Sequence, residues 1–259
     1  MKYDLILYEV DDFVATITLN NPERLNAWSF AMDKDIRAAF AAASKDPKVR
    51  AIVLTGAGRG FCAGQDTSNF AKNQEAVSRG ELKASEHDNL MYLTQIPKPI
   101  VAAINGPAAG FGACISIFAD YRFINEDAKF TTAFGHRGLI AEFGIAWMLP
   151  RQVGLMHAMD LLTGRIITGR EAGQMGFAIA ASPEAVLPRA VAFAREIAKK
   201  TSPRSFGIIK RQLYLAMEQS MKEAIDLANV EAIASLVTED HREGVAALLE
   251  KRMPNFTGR

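Results

Sequence analysis

What this chain has little of narrows its chemistry first. Cysteine occurs twice in 259 residues, at Cys62 and Cys114. Neither has zinc-type spacing and both sit in apolar, glycine-rich surroundings, so two free thiols in a reducing compartment are expected rather than a disulfide framework. Charge of neither sign dominates: 30 Lys plus Arg face 29 Asp plus Glu, a formal net charge of +1. No global field then recruits nucleic acid or an anionic membrane, and no membrane partner is expected. No apolar run approaches a membrane span, and Met1 to Val10 is too acidic and too short in apolar residues for a secretory signal, which makes a cytoplasmic protein the expectation. Low-complexity tracts, charge blocks and long linkers are also missing. At 49% hydrophobic and 23% charged, the chain has ordinary globular usage and material for one main domain.

What is there reads as alternating strands and helices. Two β-type runs between Leu5 and Asn20, broken at Asp11-Asp12 and closed by Asn20-Asn21-Pro22, predict a hairpin. Met32, Ile36, Phe40 and Ala43 recur every three or four residues, one face of a helix that Asp46-Pro47 ends. Arg50 to Thr55 and Pro99 to Ile104 are short apolar strands, and further strands are expected at Tyr121 to Ile124 and Lys129 to Ala133. Beyond about Ala141 the pattern turns helical, with helices near 187–200, 205–218 and 221–236. This order predicts an α/β core with strands buried on both faces and a helical tail serving as lid or oligomer contact. The polar stretch from Thr67 to His87 is the candidate mobile loop.

Both apolar strands empty into glycine loops. Gly56-Ala57-Gly58-Arg59-Gly60-Phe61-Cys62-Ala63-Gly64-Gln65-Asp66 follows the first; Asn105-Gly106-Pro107-Ala108-Ala109-Gly110-Phe111-Gly112 and an apolar helix to Phe118 follow the second. Glycine there permits positive φ and close approach of a ligand to the backbone, and the first N–H groups of a helix have no internal partner. The first loop is no nucleotide P-loop, since no Gly-Lys-Ser/Thr follows, and the dinucleotide spacing fails because its third glycine falls on Phe61.

These residues resemble the enoyl-CoA hydratase/isomerase (crotonase) family. Val53-Leu54-Thr55-Gly56 with Phe61-Cys62-Ala63-Gly64-Gln65-Asp66, then Lys98-Pro99-Ile100-Val101-Ala102-Ala103-Ile104-Asn105-Gly106 with Gly110-Phe111-Gly112, are similar to its two signatures. The likeness runs on through Asp120, Ala128-Lys129-Phe130, Gly138-Leu139, Leu149-Pro150-Arg151 and Leu162-Thr163-Gly164 to Gly169-Arg170-Glu171-Ala172. The resemblance implies a crotonase-like spiral of repeated ββα units over residues 1–195, and a helical C-terminal region over 196–259 for lid and trimerisation. It implies a homotrimer or dimer of trimers, and an acyl-CoA thioester substrate whose carbonyl oxygen lies between two backbone N–H groups, by position those of Gln65 and Phe111. Coenzyme A would be part of the substrate, with no other cofactor and no metal. CoA contacts would fall at Arg24, Leu25, Ala27, Ala63, Gln65 and Asp66. Each donor aimed at developing enolate charge would lower the barrier by about 2.7 to 4 kcal/mol. Taken by itself, Arg24 reads as a solvated loop charge and Asp66 as a cap of local backbone.

The resemblance also exposes a departure. Hydratases of the family use two glutamates, and the two positions here hold Cys114 and Phe134. A third position, in Gly138-Leu139-Ile140-Ala141-Glu142-Phe143-Gly144, carries a carboxylate where some isomerases of the family have one. Glu142 lies in an apolar run that would raise its pKa toward a value useful for acid/base work. Cys114 is expected to be a buried inert thiol and His136 a satisfied structural histidine, while Glu86 or His87 could supply a second acid. Phe118, Phe134 and Phe143 are candidates for the pocket wall. One carboxylate favours double-bond isomerisation of enoyl-CoA; hydration of 2-enoyl-CoA by Glu142 with a second group is the alternative. A non-catalytic acyl-CoA or RNA-binding family member is a further one, the RNA version opposed by the balanced charge.

Overall fold

The computed structural model describes residues 3–66, 75, 78, 79 and 89–259. Glu86 and His87 lie outside the described residues, as does nearly all of the stretch from Thr67 to His87. The chain opens with the expected hairpin, β1 (Ile6–Asp11) paired antiparallel to β2 (Val14–Leu19). Helix α1 (Phe30–Lys45) follows, started by the Ser29 side chain accepting from the Met32 N–H, and it buries the predicted face of Met32, Ile36, Phe40 and Ala43. β3 (Ala51–Gly56) and β4 (Ile100–Ile104) are buried at every position. Such unbroken apolar runs suit parallel strands covered on both faces.

The main sheet has the order β1-β2-β3-β4-β6-β9, completed by β6 (Tyr121–Asn125) and β9 (Ile179–Ala181), and is parallel from β2 onward. A second, three-stranded sheet joins β5 (Ala108–Ala109), β7 (Lys129–Thr131) and β8 (Ile167–Thr168). The chain steps repeatedly from a main-sheet strand to a second-sheet strand and then to a helix: β4, β5, α3 (Phe111–Ile117), then β6, β7, α4 (Ile145–Thr163). An isolated bridge from Cys62 to Ala108 brings the loop after β3 into the same second layer. This is the ββα spiral that the sequence led us to expect. Short helices α2 (Tyr92–Gln95) and α5 (Gly169–Gln174) fill the connections.

One face of the main sheet is covered by α6 (Val186–Lys200), whose Val186, Ala190, Ala194 and Ala198 recur every four residues and pack on Val53, Val101 and Phe123. The expected boundary at residue 195 falls inside this helix, because the same alanine stripe that starts before it continues after it on the sheet. The helices beyond the sheet are α7 (Pro203–Ala216), α8 (Met221–Leu236) and α9 (Glu239–Glu250). α7 is pinned to the sheet by Lys210, whose Nζ lies 2.8 Å from Asp120 Oδ2 while the same carboxylate oxygen accepts from the Ile100 N–H at 2.8 Å. No helix among the described residues is long and apolar enough to cross a membrane.

Candidate active site

The first glycine loop is fastened by asparagines. Asn26 is fully buried; its Nδ2 donates to the carbonyls of Ala57 (2.9 Å) and Gly60 (2.8 Å), and its Oδ1 accepts from the Asn21 N–H (2.8 Å). To reach there the chain turns through left-handed backbone at Leu25 (φ 51°) and Asn26 (φ 55°), a region in which asparagine is enriched among non-glycine residues. From the other side, Asn105 Oδ1 accepts from the Gly56 N–H at 3.1 Å and its Nδ2 donates to the Gly58 carbonyl at 3.0 Å. Sequence reading placed both residues in loops without assigning them this role.

The two glycine loops abut. Gly64 has φ +90°, and a Cβ there would stand 2.9 Å from the Ala109 carbonyl oxygen; one on Gly112 would stand 2.3 Å from that of Cys62. A side chain at either position would force the loops apart. Trp28 donates to the Gly64 carbonyl (2.7 Å) and accepts from the Asp66 N–H (2.9 Å). In such a parallel bridge the intervening residue directs its own N–H the opposite way, so the Gln65 N–H points away from Trp28. The Phe111 N–H is the first of α3, where no intrahelical acceptor exists. Among the described residues neither N–H has a hydrogen-bond partner. Two unpaired donors therefore come from adjoining backbones.

The residues expected to hold CoA are gathered at the same edge. The Ala63 N–H donates to the Leu25 carbonyl at 3.0 Å, and Ala27 precedes the Trp28 bridge. Arg24 Nη1 lies 2.6 Å from Asp66 Oδ2, so the exposed charge and the supposed backbone cap are partners across 42 residues. That pairing was invisible in sequence, where neither residue advertises the other.

Glu142 lies near enough to Cys114 of α3 for its charge to act on that thiol. It is partly buried, just before α4, in a segment whose next residue Phe143 has φ 56° and stacks edge-on against Phe111 with ring centroids 5.7 Å apart. Trp28 also packs on Phe111, with ring centroids 4.9 Å apart. Among the described residues the Glu142 carboxylate has no hydrogen-bond or ion-pair partner, and burial alone raises its pKa above the ordinary glutamate value. Cys114, one turn after Phe111, has a thiol pushed well up, first by burial and then by the nearby Glu142 and Cys62. It is thus a neutral group beside the carboxylate. Cys62 is buried likewise and pushed up to about 11, and both cysteines are free thiols.

Phe134 is buried at the start of a 3-10 turn and accepts from the N–H groups of Arg137 and Leu139 through its carbonyl. His136, expected to be a satisfied structural histidine, is exposed on that turn instead, its ring set against Gly164. The turn lifts it clear of the packed interior. Among the described residues no group of three His, Cys, Asp or Glu side chains could hold a metal ion.

The arrangement combines two unpaired backbone donors, a partly buried carboxylate and an apolar wall, a set able to stabilise an oxyanion and move a proton. Comparison with known proteins agrees in kind. A protein of Escherichia coli (strain K12) named 1,2-epoxyphenylacetyl-CoA isomerase is 36% identical over 262 residues, covering 99% of each chain. A probable enoyl-CoA hydratase of Rhodobacter capsulatus is 37% identical over 265 residues, covering 100% of each. The crystal structure of a probable enoyl-CoA hydratase/isomerase from Mycobacterium abscessus superposes with a TM-score of 0.91 at 29% identity, over 98% of this chain and 99% of that one. With the sequence profile of the enoyl-CoA hydratase/isomerase family matching residues 9–259, the chain belongs to that family of enzymes.

Proposed function

We propose that this chain shifts the double bond of an enoyl-CoA thioester, with Glu142 as the base that carries the proton. The Glu142 carboxylate removes a proton from the carbon between the thioester and a 3,4 double bond. The electron pair delocalises onto the thioester oxygen, and the same carboxyl returns the proton at the far end of the dienolate. The N–H groups of Gln65 and Phe111 receive the negative charge on that oxygen, each lowering the barrier by about 2.7 to 4 kcal/mol as such donors do elsewhere. The reading rests on a single observation: Glu142 is a carboxylate without a partner among the described residues, beside the neutral thiol of Cys114. One base can relay a proton between two carbons, whereas splitting water across a double bond is served by two. The Escherichia coli relative is likewise named for an isomerisation of a CoA thioester, of an epoxide rather than of a double bond.

The proposed substrate enters with its CoA along Arg24, Leu25, Ala27, Ala63, Gln65 and Asp66, and Phe134 closes the interior behind it. A proton relay of this kind needs no cofactor beyond the CoA carried by the substrate. Hydration of 2-enoyl-CoA is the second reading, favoured by the name of the Rhodobacter relative; it would need water held by a group besides Glu142. For the assembly we propose a homotrimer or a pair of trimers. Support comes from apolar side chains left exposed on the C-terminal helices, among them Met221, Ile233, Leu248 and Leu249, since isolated monomers seldom present so many together.

The deciding experiment supplies matched 3-enoyl-CoA and 2-enoyl-CoA in heavy-oxygen water and identifies products by mass spectrometry and NMR. Unlabelled 2-enoyl product, lost in Glu142→Gln, is expected. Labelled 3-hydroxyacyl product would transfer the assignment to the hydratase reading.

A further inference from the structure

Both proposed donors follow a glycine of positive φ. The Gln65 N–H comes after Gly64 (φ 90°) and the Phe111 N–H after Gly110 (φ 50°). Glycine has the most permissive backbone of any residue, so local sterics leave the direction of the following peptide open. The first turn of α3 adds no side-chain cap. Contacts from outside the loops therefore matter to the aim of the two N–H groups, and Trp28 touches both segments.

Its backbone serves the first. The Trp28 N–H donates to the Gly64 carbonyl at 2.7 Å and its carbonyl accepts from the Asp66 N–H at 2.9 Å, so the bridge grips the residues on either side of Gln65. Its indole serves the second, packing on the Phe111 ring with centroids 4.9 Å apart and planes tilted by 32°. The Trp28 backbone is itself fixed from both directions. Asn26, two residues earlier, is bonded into the first glycine loop, and Ser29, the next residue, caps α1. The indole Nε1 faces Asp33 Oδ1 from 3.5 Å, too far to fix the ring strongly, whereas the ring of Phe30 packs edge-on against it at 5.2 Å. Ring contact, more than the indole N–H, holds the side chain in place. Phe111 in turn meets Phe143, the neighbour of Glu142, so ring contacts run without a break from α1 to the residue beside the proposed base.

We infer that Trp28 is a positioning residue for the oxyanion site: its ring contact with Phe111 and its backbone bridge around Gln65 hold the two donor N–H groups in one geometry. The inference rests on the acyl-CoA reading given above. The test reads the donors through the carbonyl stretch of butanoyl-CoA, isotopically labelled at the thioester carbonyl, bound to the full chain and measured by isotope-edited infrared spectroscopy. This saturated thioester has no double bond to shift. In the wild type two N–H donors should lower the stretch relative to the free thioester. Trp28→Leu is expected to return it toward the free value. With the enoyl substrate the same variant should lower kcat and kcat/KM together by about tenfold to a hundredfold, the mark of donors displaced by up to about 1 Å. Trp28→Phe, which keeps a ring and loses the indole N–H, should restore most of the shift. Phe30→Ala removes a ring that is 59% exposed; it should give a smaller change of the same sign, and it decides the matter if Trp28→Leu does not fold.

A stretch lowered equally in the wild type, Trp28→Leu and Phe30→Ala would overturn the inference. Equal loss of the shift in Trp28→Phe and Trp28→Leu would overturn it too, by assigning the positioning to the indole N–H. Butanoyl-CoA that fails to bind the wild type, or binds with an unshifted stretch, would instead sink the oxyanion reading on which the inference rests.

Discussion

Glu142 carries the most weight per atom. Its raised pKa has one cause, burial, with no compensating donor among the described residues. The folded state therefore binds more protons than the unfolded one in the window between the ordinary glutamate value and the raised one, and stability falls as pH climbs through it. Glu142→Gln is expected to lower kcat/KM for the proposed isomerisation by about 10²- to 10⁴-fold. The same variant should be more stable than wild type at neutral pH, with the difference shrinking in acid; urea titrations at several pH values measure this, and an equally large gain in acid would contradict it. The acid limb of wild-type kcat/KM should lie above the usual glutamate range, because the base must be ionised and burial resists that. Gly64→Ala tests the abutting loops. Its φ of +90° and the 2.9 Å approach to the Ala109 oxygen should displace the Gln65 N–H, and a shift of about 1 Å costs up to about a hundredfold in rate. An alanine variant with unaltered kcat/KM would remove Gln65 from the proposed mechanism. Glu142 was legible as a candidate because it falls where the resemblance to the family puts a single carboxylate, and because its neighbours in sequence are apolar. Asn26 was not, since its buried bonds go to residues some thirty positions away, which no local pattern encodes.

At the scale of elements, the joint between α7 and the sheet is the least forgiving. Burial pushes the Asp120 pKa up and that of Lys210 down, each opposed by the other's charge at 2.8 Å. Lys210→Met leaves a buried carboxylate uncompensated and is expected to cost about 3–5 kcal/mol of unfolding free energy, whereas the double variant Asp120→Leu/Lys210→Met should recover most of it. Equal losses in the single and double variants, read by chemical denaturation, would show that packing rather than the ion pair holds α7. Strands and helices were mostly readable: the hairpin, α1, β3, β4 and α8 fall within a few residues of where periodicity puts them. The two-residue strands β5 and β8 were not, because so short a segment carries no period and pairs only once its partner strand β7 is in place. α4 hid its break, a non-helical Gly154 (φ 78°) within a helix that also carries Pro150.

For the whole molecule, the exposed apolar side chains of α8 and α9 set the next expectation. Ile233 and Leu249 are 70% and 77% exposed, and Ile233→Asp with Leu249→Asp should shift the protein from oligomer to monomer in sedimentation velocity while near-ultraviolet circular dichroism keeps its folded signature. A wild type that sediments as a monomer at micromolar concentration would end the trimer proposal. By itself the sequence determined the order and type of the main elements, the two glycine loops and the lone carboxylate in an apolar run, because periodicity, turn chemistry and local polarity act over a few residues. Resemblance to the family had already paired Gln65 with Phe111; only the tertiary structure decided which other groups meet, Arg24 with Asp66, Glu142 with Cys114 and Lys210 with Asp120. Those contacts span tens of residues, and they exist only once the spiral has brought successive turns into register.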